Sequence, residues 1–105
     1  LEGVRLIDLC REAFDVVVMN PPFGQATKGL SRFYNDNYPD SSSEELAATF
    51  FTRAAELLRM DGFIGEISSR TIFYLYSLKE WRYNSLIEVA PLTAFVDIGG
   101  GRCGE

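Results

Sequence analysis

The junction between Phe14-Asp15-Val16-Val17-Val18-Met19 and Asn20-Pro21-Pro22-Phe23 limits the fold more than any other part of the chain. Three consecutive valines between Phe and Met favour an extended backbone, where branched side chains pack well. A nearly unbroken apolar run of this length suits a strand buried on both faces, as in a parallel sheet. Proline has no N–H to give to a ladder, so the strand must end at Asn20. The chain therefore predicts a strand whose carboxyl end is a stiff corner. In open α/β sheets, ligands bind at such ends.

The remaining pattern supports that class. Val4 to Leu9 reads as a short strand or strand end containing Asp8. Residues 24–43 are rich in Gly, Asn, Asp and Ser and read as a long loop, unusual in carrying Phe33, Tyr34 and Tyr38. Ser41 to Glu44 and Ser42 to Glu45 have capping-box spacing. Leu46, Phe50, Ala54, Leu57 and Leu58 then recur at helical spacing, with Ala47 and Phe51 beside them. Phe50 and Phe51 are expected in the core. Asp61-Gly62 is expected to turn the chain out of this helix into a strand over Phe63 to Ser68. Strand, helix, strand implies a right-handed parallel crossover. A second helical stretch is predicted from about Tyr74 to Glu88, broken near Ala90-Pro91. A third strand is predicted over Leu92 to Ile98, ended by Gly99-Gly100-Gly101. The whole reads as half of an α/β doubly wound sheet.

Composition narrows the chemistry. Of 105 residues, 47% are apolar and 24% charged, which argues for a globular core and against disorder. The apolar runs are too short to span a bilayer. Ten Lys and Arg against fifteen Asp and Glu give a net charge of −5, so this chain is no phosphate-neutralising surface by itself. There is no histidine, which removes Ser-His hydrolysis, histidine bases and the usual zinc sites. Cys10 and Cys103 stand apart in no metal-ligand spacing and are expected as ordinary cytosolic thiols, though a disulfide between them is possible. The chain opens on Leu1, which predicts excision from a longer protein.

The corner has a specific use. An exocyclic amine conjugated to a ring is a poor nucleophile because its lone pair is delocalised. The Asn20 side-chain carbonyl and the Pro21 backbone carbonyl can each accept one of its hydrogens. Together they pull the nitrogen towards tetrahedral geometry and stabilise the positive charge that grows on it during methyl transfer. Pro21 and Pro22 make the turn stiff, so little entropy is lost on binding. Phe23 offers a flat face on which an extruded base can stack.

These residues resemble motif IV of the S-adenosylmethionine (SAM)-dependent amino-methyltransferases. Phe14 to Val18 is similar to the strand that carries that motif, and Gly62-Phe63-Ile64-Gly65-Glu66-Ile67-Ser68 looks like the family's next strand. Arg82, in Glu80-Trp81-Arg82, sits where many members have an arginine-bearing helix. The resemblance covers roughly Val4 to Gly101 and is strongest to adenine-specific DNA methyltransferases of restriction and phage-exclusion systems. It implies a partial doubly wound (Rossmann-like) class I methyltransferase sheet. Residues 1–105 are then a fragment from the C-terminal half of a catalytic domain, with the motif IV loop at 20–24. It also implies SAM as cofactor, no metal, DNA held through segments outside this chain, and a cytoplasmic enzyme. Phe23 tilts the acceptor towards adenine, since glutamine and ribosomal-RNA methyltransferases usually carry Tyr there. A protein glutamine or RNA base as acceptor, and an inactive half-domain that only binds a partner, are the competing readings.

The other candidates are weaker. Asp8 corresponds to an acidic residue that many members place near the SAM adenine amine, but its residues alone read as an exposed aspartate at a strand end. Gly99, Gly101 and Gly104 have G-x-G-x-x-G spacing, and a plain turn explains them, with the family's glycine-rich SAM loop expected upstream. Phe33, Tyr34 and Tyr38 could line a base pocket or cover the core edge. Ser68-Ser69-Arg70 could meet substrate or cap a helix.

Overall fold

A computed structural model describes residues 2–11, 13–41 and 45–100. Helix α1 spans Glu2–Leu9, strand β1 Phe14–Met19, helix α2 Lys28–Asn37, helix α3 Leu46–Leu57 and strand β2 Leu58–Glu66. Short helices α4 (Thr71–Tyr74) and α5 (Lys79–Tyr83) flank a 3₁₀ turn at Tyr76–Leu78, and a π-helical turn follows at Asn84–Val89.

β1 and β2 pair in parallel, with Val16 opposite Phe63, Val17 opposite Ile64, Val18 opposite Gly65 and Met19 opposite Glu66. The strand-helix-strand expectation therefore holds in an α/β unit. Its sheet has two strands among the described residues, and helices cover one face. Met19 and Ile64 point at those helices, while Val16 and Val18 are exposed, Val18 by 78%. The expectation that β1 is buried on both faces fails here because nothing described lies over the second face.

The core is helical. α3 buries Ala47, Ala48, Phe51 and Ala54. Ala47, Ala48 and Phe51 meet Ile72, Leu78, Trp81 and Leu86 from the following helical segment. The small alanines let the indole of Trp81 approach. Its ring stands edge-on to Phe51, with centroids 5.7 Å apart, and its Nε1 donates to Thr52 Oγ1 at 3.0 Å. Phe51 is buried as expected. Phe50, expected beside it, is 40% exposed, because adjacent helical positions point about 100° apart and one core face cannot take both.

Several boundaries differ from the sequence reading. Val4 to Leu9 is helical, not a strand; Glu2, Arg5 and Asp8 recur at three-residue spacing, which fits a helix period. Residues 24–43 are not one loop. Leu30, Phe33 and Tyr34 make a helical stripe in α2, supported by an exposed Arg32–Asp36 pair one turn apart. Its polar composition disguised it, and it buries no residue. α3 starts at Leu46 with Glu45 at its cap position and not inside its first turn. Ser41 instead shares a 2.9 Å hydrogen bond with Thr49, and Ser42, Ser43 and Glu44 lie outside the described residues.

Asp61-Gly62 does not end α3. The helix stops at Leu57 and β2 begins at once, with Asp61-Gly62 forming a kink between the Phe14–Leu58 and Val16–Phe63 pairs. Asp61 takes a left-handed φ of 66°. A Cβ on Gly62 would lie 2.8 Å from the Asp15 carbonyl oxygen, so only glycine fits that approach. Arg59 pairs with Asp15 across the same kink.

The second helical stretch exists but is broken into short pieces. Leu75 is extended between α4 and the 3₁₀ turn. Arg82 Nη1 donates to the carbonyls of Ile72 (3.0 Å) and Leu75 (2.7 Å), satisfying oxygens that the break strands. Leu92 to Ile98 forms no strand and pairs with neither outer edge of the two-stranded sheet. Phe95 rests edge-on against Phe73, and Asp97 lies 3.7 Å from Arg70.

Candidate active site

The Asn-Pro-Pro-Phe corner stands at the carboxyl end of β1, beside the carboxyl end of β2. The last rung is the Ile67 amide donating to the Met19 carbonyl at 3.1 Å, immediately before Asn20. The ladder stops there because Pro21 and Pro22 have no N–H to continue it. Pro21 is buried and anchors the corner, whereas Asn20, Pro22 and Phe23 are exposed, Phe23 by 64%. Asn20 makes no side-chain hydrogen bond within the described residues, so its amide oxygen is free to accept one.

The far end of the corner is also fixed. Gly24 has a φ of +90°, a conformation that favours glycine. Its N–H donates to Glu45 Oε1 at 2.9 Å, and its carbonyl accepts from the Leu46 amide at 2.9 Å. Four residues, Asn20 to Phe23, are thus held between a strand rung and the first turn of a core helix.

Glu66 faces the helical layer at the end of β2, opposite Met19. Both carboxyl oxygens are buried and neither finds a donor in bonding geometry. Burial pushes the carboxyl up to about 7, against a smaller downward pull from nearby Ser68. Sequence reasoning passed over Glu66 and Glu45. The signal for Glu66 was there: an acidic residue inside Phe63-Ile64-Gly65-Glu66-Ile67.

The four corner residues lie together. Asp8 lies elsewhere in the chain's architecture, exposed on α1 rather than at a strand end. Phe33 is exposed on α2, with Tyr34 and Tyr38 partly covered. Ser69 lies just before α4, whose cap residue is Arg70, and its Oγ accepts from the Thr71 amide at 3.2 Å. Gly99 has a φ of +85° and donates to Asp97 Oδ1 at 2.8 Å, the geometry of a tight turn; Gly101, Cys103 and Gly104 lie outside the described residues. Cys10 is an exposed free thiol. A cavity of about 550 Å³ runs between Phe51, Leu58, Phe63 and Pro91, and none of residues 20–24 lines it. It belongs to the region under residues 89–94, away from the corner.

Among the described residues no helix is long and apolar enough to cross a membrane, and no group of three or more His, Cys, Asp or Glu could hold a metal ion. Residues 6–103 match the family described as Eco57I restriction-modification methylase. The chain is also 34% identical over 74 residues to an adenine-specific methyltransferase, BrxX, of Escherichia coli O9:H4 (strain HS). That match covers 68% of this chain and 6% of the relative's length. A match over residues 6–103, nearly the whole of this parallel α/β unit, makes this chain a member of the Eco57I restriction-modification methylase family.

Proposed function

We propose that the protein containing this chain transfers a methyl group from S-adenosylmethionine to the exocyclic amine of adenine in DNA. The observation that carries the reading is the open corner: Asn20 and Phe23 exposed at the carboxyl end of β1, with the chain pinned on both sides. The Asn20 side-chain oxygen and the Pro21 carbonyl accept the two amine hydrogens. In attack on the donor methyl, the nitrogen lone pair would leave the ring and the carbon–sulfur bond would break to release S-adenosylhomocysteine. The positive charge on nitrogen would be discharged by loss of one N–H proton to solvent. Two fixed oxygen dipoles favour that charged, pyramidal state over the flat amine. Phe23 stacks on the base after it leaves the helix, which offsets part of the unstacking penalty. One direct displacement suffices, and no residue of the corner is a nucleophile. A cytoplasmic setting goes with DNA as substrate.

Neither of the residue groups considered for the methyl donor is enclosed among the described residues. Asp8 is exposed on α1, and Gly99 and Gly100 belong to a turn closed by Asp97. We assign donor binding, and the basic surface that grips DNA, to other parts of the protein. The net charge of −5 agrees with that division.

The test is methylation profiling of DNA from cells that express the full-length gene, with and without Asn20→Ala. N6-methyladenine at a defined set of sites, lost in the variant, is the expected result. Methylation that persists in the variant overturns the assignment of Asn20. Methylation confined to RNA or protein moves the reaction to another acceptor.

A further inference from the structure

We propose that Glu45 is a positioning residue for the Asn-Pro-Pro-Phe corner, acting through Gly24 and touching neither substrate nor donor. The proposal rests on the methyl-transfer reading of that corner and adds to it how the corner is held.

A carboxylate at a cap position normally serves its own helix. Glu45 makes no side-chain hydrogen bond to the amides of α3. It is 4% exposed, and its Oε1 reaches twenty-one residues back to the Gly24 N–H at 2.9 Å. The neighbouring Leu46 amide donates to the Gly24 carbonyl, so both backbone polar groups of that residue are fixed at the start of α3. Gly24 adopts φ +90°, which leaves the corner no gradual way out: the chain turns sharply directly after Phe23.

α3 is itself anchored in the core. Ala47 and Ala48, next to Glu45, are fully buried, and Phe51 packs on Trp81. Rigidity therefore passes from the helical core through Glu45 to Gly24, and from there to Phe23 and the acceptor pair. At the other end Met19 is held by β2. Two acceptors aimed at one nitrogen are useful only if both ends of the short segment carrying them are fixed. Without the Glu45 bond, one end is held by a single backbone contact.

The experiment uses the full-length protein as Glu45→Ala, Glu45→Asp and Glu45→Gln. Gln keeps an oxygen acceptor at the same reach; Asp keeps the charge but is one methylene too short. Three readouts are taken: exchange of the Gly24 amide, exchange of the Phe51 and Ala54 amides, and steady-state methyl transfer on DNA. In Ala and Asp variants, Gly24 exchange rises at least about tenfold while Phe51 and Ala54 stay protected. In the same variants kcat falls at least about tenfold, with KM for S-adenosylmethionine within about twofold. Gln stays within about threefold of wild type in both readouts. Unchanged Gly24 exchange in the Asp variant overturns the latch. Faster exchange with unchanged kcat overturns its positioning role. If Ala does not fold, Asp and Gln still decide. A wild-type protein that methylates no adenine defeats the reading of the corner, while Gly24 exchange continues to test the latch.

Discussion

At the scale of single residues, the chain places chemistry and anchoring on neighbouring positions. Pro21 is buried, while Asn20 and Phe23, which flank the diproline, are exposed. Phe23→Ala should weaken binding of an extruded base by about 1–3 kcal/mol, read as a lower affinity for DNA carrying an abasic partner or mismatch at the target. An unchanged affinity would show that Phe23 does not stack. Glu66 gives a second prediction. Its folded carboxyl keeps a proton over a pH range in which the unfolded carboxyl has lost it. The stability it contributes is therefore fully present below about 4.5 and is lost as pH rises to about 7. Glu66→Gln carries no charge at any pH. The difference in melting midpoint between variant and wild type should be small at pH 4 and grow in the variant's favour up to about pH 7. A difference that does not change across that window would contradict the buried, unpartnered carboxyl.

At the scale of elements, the parts legible in sequence were those where one principle acts alone. β1 and its abrupt end were legible because valines and prolines each dictate backbone directly. α3 was legible from its apolar period, though not which of Phe50 and Phe51 faces inwards. α1 was misread because six short residues mixing apolar and charged types fit both periods. α2 was hidden by polar residues that make a helix supported by its own surface pairs and not by burial. Leu92 to Ile98 has strand composition, yet it pairs with neither outer edge of the sheet, and composition alone does not choose a partner. The corner itself was readable as a motif. Its latch was not, because a contact between residues 24 and 45 leaves no local pattern. The Asp61-Gly62 kink makes a testable demand. Gly62→Ala brings a Cβ against the Asp15 carbonyl and should destabilise the protein by about 1–3 kcal/mol, measured by denaturant unfolding. A neutral result would mean the two strands can separate there freely. Thr52→Val tests the core in the same assay: it leaves the buried Trp81 N–H without its acceptor and should lose about 1–3 kcal/mol.

At the scale of the molecule, the described chain is two layers with one sheet face bare. Val16, Val18, Phe63 and Ile67 stand exposed on that face. Parallel sheets are normally covered on both sides, so this face carries the strongest departure from a self-sufficient fold. The excised 105-residue chain should accordingly bind an apolar dye and should bind S-adenosylmethionine weakly or not at all. Micromolar binding by calorimetry would place a donor site within these residues. The acidic balance points the same way, since a −5 chain has little to offer a phosphate backbone.

The central claim is that two oxygens on a pinned diproline corner raise the reactivity of an adenine amine. The most direct measurement is the single-turnover rate of methyl transfer to adenine in DNA by the purified full-length protein, wild type against Asn20→Ala, with matched folding by circular dichroism. Loss of one preorganised partner at a developing charge predicts a rate at least about 10²-fold lower at saturating DNA and donor. A variant that stays within about threefold of wild type under those conditions would contradict the account.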